Sequence, residues 1–93
     1  MNILELADIL DKQIEITYYP NQNCRFAASF AYCETKETKD YGVLCSNFGD
    51  GNTPTKAINN YSAKISGSIL VFDAMTDDRA EFKCPELTPI KEA

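Results

Sequence analysis

The sequence predicts a two-layer α+β domain in which two helices pack on one face of an antiparallel sheet. Its 93 residues are 44% hydrophobic and 25% charged, a mixture typical of one globular domain with a modest core. Two segments carry apolar residues at helical spacing, and three segments between them alternate apolar with polar residues. The predicted order is helix, three strands and helix, followed by a short apolar extended segment and a tail.

The first helix is expected to begin after Asn2, a suitable N-cap, because Glu5 three residues later completes a capping box. Apolar residues then recur at helical spacing, at Ile3, Leu6, Ala7 and Leu10. The helix is expected to end near residue 12 or 13. Its polar face is acidic, which argues against a helix that lies on a membrane surface.

Three strands are predicted between the helices, over residues 14–19, 24–32 and 41–48. One face of the second strand is expected to be apolar, with Cys24, Phe26, Ala28, Phe30 and Tyr32. Its other face includes small side chains, Ala27, Ser29 and Ala31, which leave room for something to lie across the strand or are simply exposed. The polar residues 33–40 are expected to form a surface loop or a ragged hairpin tip.

The second helix is the segment most clearly delimited in the sequence. Thr53 is a good N-cap, Pro54 suits the first helical turn, and Gly67 is a natural left-handed stop. Residues 69–72 then read as a strand or a buried extended segment. Residues 76–82 are expected to form a charged turn. We expect one domain over residues 1–87 and a frayed tail over 88–93.

The loop before this helix raises the question of phosphate binding, because Gly49 and Gly51 precede a helix N-terminus. A third glycine and a following lysine are missing, and Asp50 places a negative charge within the loop. We therefore interpret the two glycines as turn residues ahead of the Thr53 cap. No cofactor is predicted.

The charged residues favour binding over catalysis. The net charge is −5, and the sequence contains no histidine, which is the commonest general base and metal ligand. The nine basic residues are scattered, which argues against direct binding to nucleic acid. An acidic chain could instead face a basic partner surface, although the charge also serves solubility. We predict no enzyme activity, no catalytic residues and no metal site.

The four cysteines, Cys24, Cys33, Cys45 and Cys84, contain no CxxC pair. We interpret them as reduced structural thiols, with a metal site, a disulfide or a redox role as open alternatives. The N-terminus lacks the basic region of a signal peptide, and no stretch approaches the ~20 apolar residues that span a bilayer. We expect a cytoplasmic protein without a membrane partner.

The segment from residue 49 to 74 resembles a motif of small bacteriophage-encoded proteins, G-x-G-x-T-P-x-x-A-I-x-x-Y, then I-x-G and an apolar run. Matching residues are Gly49, Gly51, Thr53, Ala57, Ile58, Tyr61, Ile65, Gly67, Leu70, Val71 and Ala74. With residues 79–87, the likeness covers about half of the chain. It implies a small accessory protein of the host cytoplasm that binds and disables a host protein, for example an anti-CRISPR inhibitor of a nucleic-acid-binding defence effector.

Two further resemblances concern shorter features. The piece G-x-G-x-T-x-x-x-A is similar to HicB-type antitoxin domains, where the glycines precede a helix that packs on a small sheet. The order of elements resembles the double-stranded RNA-binding domain, whose second helix starts with a lysine cluster. Here that position carries Lys56 alone, so the layout is expected and the RNA binding is not.

The resulting functional prediction is an acidic protein-interaction module that inhibits a host protein. The alternative is an antitoxin-like or self-assembling module, and a homodimer is an open alternative for either. The predicted contact residues are the acidic residues outside the core faces: Glu34, Glu37, Asp40, Asp50, Asp77, Asp78 and Glu81.

Overall fold

The computed structural model describes residues 1–37 and 43–91 and contains two helices and six strands within those ranges. In chain order they are α1 (Ile3–Leu10), β1 (Ile14–Tyr18), β2 (Phe26–Phe30), β3 (Cys33–Lys36), β4 (Gly49–Gly51), α2 (Pro54–Ile65), β5 (Ile69–Phe72) and β6 (Ala80–Lys83). The strands form two antiparallel three-stranded sheets, ordered β1-β2-β4 and β3-β5-β6. The α+β class is confirmed, whereas the single sheet of the predicted layout is replaced by two sheets.

The predicted third strand over residues 41–48 is wrong for the part that the structure describes. Residues 41 and 42 lie outside the described ranges, and residues 43–48 contain only an isolated bridge from Cys45 to Thr35. The predicted charged turn over residues 76–82 is wrong from Ala80 onward, where β6 begins. Strands β3 and β4 occupy segments predicted as a polar loop and a turn. Long-range pairing explains the difference, because β3 pairs with the fully buried β5 and β4 pairs with β2.

The chain leaves the first sheet at Tyr32, whose φ of 53° is left-handed. Asp73, which follows β5, has the same φ, and its N–H donates to the Tyr32 carbonyl oxygen at 3.0 Å. The predicted strand 24–32 therefore ends at Phe30. Its inner face is confirmed for Ala28 and Phe30, which are buried, and wrong for Cys24 and Tyr32, which are exposed.

Both predicted helix starts are confirmed. The Asn2 side chain accepts from the Glu5 N–H, and the Asn2 N–H donates to Glu5 Oε1, each at 3.0 Å. The Thr53 hydroxyl accepts from the Lys56 N–H at 3.1 Å. Helix α1 ends at Leu10, about one turn early, because Asp11 turns left-handed with a φ of 54°.

The core lies where α2 and the two sheets meet. Phe30 from β2 makes edge-to-face contacts with Tyr61 of α2 and with Phe72 of β5, at ring-centroid distances of 6.1 and 5.5 Å. The buried cluster around them comprises Ile3, Leu6, Ile65, Leu70 and Cys84. Phe30 is therefore the side chain that connects both sheets and the second helix.

The C-terminal segment passes the N-terminus at Thr88 and then contacts α2 at Ile90. Asn59 exchanges two hydrogen bonds with the Ile90 backbone, at 2.8 and 2.9 Å. The Thr88 N–H donates to the Met1 carbonyl oxygen at 2.9 Å. Residues 88–90 thus make defined contacts, and the predicted domain boundary at residue 87 stays a prediction.

Strand β4 lies directly on α2, with no side chain between the two backbones at Gly49. A Cβ at this position would meet the carbonyl oxygen of Ala57 and the backbone of Tyr61, with Tyr61 Cα at 2.6 Å. Glycine is required here by close approach, because any side chain would push the helix away from the sheet.

We predict that Gly49→Ala lowers the free energy of unfolding by about 1–3 kcal/mol, because the added methyl overpacks the contact between β4 and α2. Urea denaturation followed by circular dichroism measures the change. Asp50→Ala is the matched control, since Asp50 lies on the same strand with an exposed side chain, and it should change stability by at most about 0.5 kcal/mol. Equal effects of the two substitutions would contradict the close approach at Gly49.

Candidate functional site

The outer face of the first sheet forms a groove of about 600 Å³. Alternation along the strands produces it, because Ala28 and Phe30 point into the core and their neighbours Ala27 and Ser29 point outward. The strand register places Glu15 opposite Ser29, Thr17 opposite Ala27, and Ala27 opposite Asp50. These five side chains line what we call the outer groove.

The floor of the outer groove is made of small side chains, Ala27 and Ser29, so it lies close to the backbone of the sheet. Its walls come from the β1–β2 turn, including Tyr19, and from Phe48, which precedes β4. Lys64 contacts Phe48 in two ways. Its ammonium lies 5.6 Å from the ring centroid and donates to the Phe48 carbonyl oxygen at 3.0 Å. The groove therefore combines a small-residue floor with aromatic walls.

A second depression of about 470 Å³, which we call the side groove, continues from the outer groove. The two share Glu15, Ser29 and Phe48 in their linings. The side groove extends over Glu34 of β3 and over the loop that starts at Asp73. Tyr32 and Met75 also line it and are 83% and 92% exposed.

The two connected grooves carry charge of one sign. Their carboxylates are Glu15 and Asp50 in the outer groove, with Glu34 and Asp73 added by the side groove. Among the lining residues that belong to the described ranges 1–37 and 43–91, no lysine or arginine is present. A ligand that enters this surface meets four carboxylates and several aromatic or apolar side chains, so the surface favours a cation with an apolar stem.

The structure distributes the predicted contact residues over several places. Asp50 lines the outer groove and Glu34 the side groove, whereas Asp77 and Asp78 lie in the turn before β6 and line neither. The remaining predictions differ in kind: Glu37 is exposed after β3, Asp40 lies outside the described residues, and Glu81 is on β6.

Glu81 is already engaged within the chain. Its carboxylate lies 2.7 Å from Lys36 Nζ and 3.0 Å from Arg79 Nη2. Hydrogen bonds from Lys36 and then from Arg79 lower the pKa of Glu81 below its usual value. A partner would therefore have to compete with two internal cations at this position.

Two groove residues, Glu15 and Asp73, are missing from the predicted set. Glu15 could have been found from the sequence, because it alternates with the isoleucines of β1 and so faces the same side as Ala27 and Ser29. Asp73 could not, because its place beside β3 depends on the pairing of β3 with β5.

The four cysteines are free thiols, and burial separates them into two pairs. Cys24 and Cys45 are exposed. The predicted core position of Cys24 is therefore wrong. Desolvation raises the pKa of Cys33 to about 11, against an opposing hydrogen bond with Tyr61, and raises the pKa of Cys84 to about 11 as well. In residues 1–37 and 43–91, no three Cys, Asp or Glu side chains are grouped so that they could hold a metal ion.

The raised thiol pKa values predict a loss of stability in alkali. Between about pH 9 and 11 an unfolded cysteine releases its proton while half-buried Cys33 and buried Cys84 keep theirs, so the folded state binds more protons. The free energy of unfolding should therefore be fully retained below pH 9 and fall as the pH rises to 11. Urea midpoints measured from pH 8 to pH 11 test this.

Cys84→Ala should reduce the slope of stability against pH, whereas Cys24→Ala should leave it unchanged, because Cys24 is exposed. The comparison uses slopes, so any loss of packing at residue 84 does not enter. The same slope in the wild type and in Cys84→Ala would contradict the assignment.

Comparisons of the chain with protein-family models, with curated proteins and with solved structures find no match. The resemblances of residues 49–74 to bacteriophage proteins and to HicB-type domains therefore stay predictions. Across the described ranges, no helix is long and apolar enough to cross a membrane.

Proposed function

We propose that this chain is a protein-interaction module without catalytic activity, of the kind that bacteriophages encode, and that it inhibits a host protein by binding a basic segment in the outer groove. One observation carries the proposal: in the part of the chain that the structure describes, the linings of the outer and side grooves contain four carboxylates and no basic side chain. A net charge of −5 adds a long-range attraction to a basic partner.

The shape of the outer groove suits an extended segment that carries arginine or lysine. Small side chains at Ala27 and Ser29 allow a backbone to approach the sheet closely. Tyr19 and Phe48 provide surfaces for the methylene stems, and Tyr19 is available for cation–π contact, whereas the Phe48 ring already contacts the Lys64 ammonium. Glu15 and Asp50 lie on opposite sides of β2, so they can bind cationic heads from both sides of the floor.

Inhibition follows from the chemistry of the partner. A protein that binds nucleic acid uses lysine and arginine to neutralise phosphates, and these side chains are the groups that the acidic groove would bind. Occupation of such a channel by this chain would exclude the nucleic acid through direct competition. We therefore propose a nucleic-acid-binding defence effector of the host as the target.

Two double variants that have the same net charge as each other test the role of the outer groove. Glu15→Gln with Asp50→Asn removes two charges from the groove, and Asp77→Asn with Asp78→Asn removes two from the turn before β6. Each tagged protein is used for affinity capture from host cells that carry defence systems, followed by quantitative mass spectrometry at low and raised salt.

We expect the groove variant to retain at least about tenfold less of the host protein than the wild type, which corresponds to about 1.4 kcal/mol. The turn variant should retain a similar amount to the wild type. Raised salt should release the partner, since screening weakens charge pairs at a surface. Equal losses in both variants, or retention that does not respond to salt, would contradict binding in the groove.

A further inference from the structure

The two sheets present four edges, and three of them are protected against another strand. At β4 the outward Asp50 N–H donates to the Asn60 side chain at 3.0 Å. At β3 the backbone of Thr35 exchanges two hydrogen bonds with Cys45, at 2.8 and 2.9 Å. At β6 the outward positions are charged, Glu81 and Lys83, which is a common way to discourage edge pairing.

Strand β1 is the fourth edge, and within residues 1–37 and 43–91 no such protection covers it. Two hydrogen bonds that flank the β1–β2 ladder, Ala31 N–H to the Gln13 oxygen and Tyr19 N–H to the Arg25 oxygen, fix which residues face β2. Hydrogen-bonded pairs alternate along an antiparallel ladder, so the odd-numbered residues of β1 bond to β2. The N–H and C=O groups of Ile14, Ile16 and Tyr18 therefore point to the open edge.

The side chains at this edge are apolar where charged ones would be expected. Ile16 is 45% exposed and Tyr18 is 51% exposed, on the face of the sheet that carries the core. Helix α2 packs on β2 and β4 and leaves this part of β1 uncovered. Glu15 is the only charged residue of β1, and it lies on the opposite face. An apolar edge with free backbone groups is a template for strand addition.

We infer that β1 pairs antiparallel with β1 of a second copy of this chain, about a two-fold axis that passes beside Ile16. In this register Ile16 pairs with Ile16 of the second copy, and Ile14 pairs with Tyr18 of the second copy on either side. All three pairs are of the hydrogen-bonded kind, because the outward groups of β1 belong to these three residues. The β1-β2-β4 sheets of the two copies then join into one sheet of six strands.

The side chains of β1 are self-complementary in this register. On the core face, Tyr18 continues the row started by Phe26, whose ring lies 5.1 Å from its own, and Ile14 of the second copy extends that row. On the outer face, Glu15 lies opposite Thr17 of the second copy, so no like charges face each other directly. A symmetric interface requires the same patch to fit itself, and β1 fulfils this.

The dimer would also join the two outer grooves. Glu15 and Thr17 line the outer groove on the face opposite the helices, and a two-fold axis perpendicular to the sheet keeps both grooves on the same side. The merged groove would contain Glu15 and Asp50 from each copy. The inference itself stands on the backbone of β1 and is independent of the proposed partner.

The experiment uses the full chain alone. Light scattering coupled to size-exclusion chromatography over a dilution series should give twice the mass of one chain at high concentration. Amide hydrogen exchange by NMR then gives a signature specific to this interface. In the dimer the amides of Ile14, Ile16 and Tyr18 should be protected, and dilution should release all three while Glu15 and Thr17 stay protected by β2.

Two substitutions at the centre of the interface should weaken association at least tenfold. Ile16→Lys brings two like charges together at the two-fold axis, and Ile16→Pro removes an outward N–H without touching the β1–β2 ladder. Val43→Lys is the matched control, because it makes a comparable change at a residue that is 83% exposed and outside β1. It should associate like the wild type.

A single-chain mass at every concentration would overturn the inference. A dimer that persists in both Ile16 variants, or that protects amides other than the three of β1, would overturn it as well. If the variants fail to fold, the concentration-dependent protection of the wild-type amides decides the question without them.

Discussion

The position of the Phe30 ring is the constraint on which the other features depend. This ring contacts Tyr61 of α2 and Phe72 of β5, so it fixes the second helix and the second sheet against the first. Two residues later Tyr32 adopts a left-handed conformation, and β3 starts in the other sheet. The ring thus lies at the point in the buried cluster where both sheets and α2 meet. Phe30 is 2% exposed, which agrees with this role.

The surface chemistry follows from that packing. Because α2 covers the inner face of β2 and β4, the outer face of the same sheet is left with small and acidic side chains. Gly49 allows the helix to lie directly on β4, and its neighbour Asp50 consequently points into the outer groove. The same arrangement leaves β1 at the edge, beyond the reach of α2. Groove and open edge thus have one structural origin.

Local signals in the sequence were sufficient for part of the fold. The caps of both helices, the α+β class and the inner positions Ala28 and Phe30 follow from spacing and side-chain chemistry, and the structure confirms them. The division into two sheets could not be predicted this way. Strand β3 is polar, and only its pairing with β5 makes it a strand. The left-handed conformation at position 32 could not be predicted, because the residue there is a tyrosine and not a glycine or asparagine.

The candidate site was predictable to a similar extent. Asp50 and Glu34 were expected as contact residues and line the two grooves, and Glu15 could be added from the alternation of β1. Asp73 depends on long-range pairing and could not. Net charge indicates an acidic surface but not its location, because Asp77 and Asp78 contribute as much charge as Glu15 and Asp50. The strand register places Glu15 and Asp50 in the outer groove, whereas Asp77 and Asp78 lie in the turn before β6.

Binding in the outer groove can be tested by following backbone amide chemical shifts while a short peptide of alternating arginine and leucine is added. We expect the largest changes in the outer groove, at Glu15, Thr17, Ala27, Ser29 and Asp50, and we expect Glu15→Gln with Asp50→Asn to remove them. Changes that are centred on Asp77 and Asp78, or that are spread over all exposed carboxylates, would show that the charge acts without a site and would contradict it.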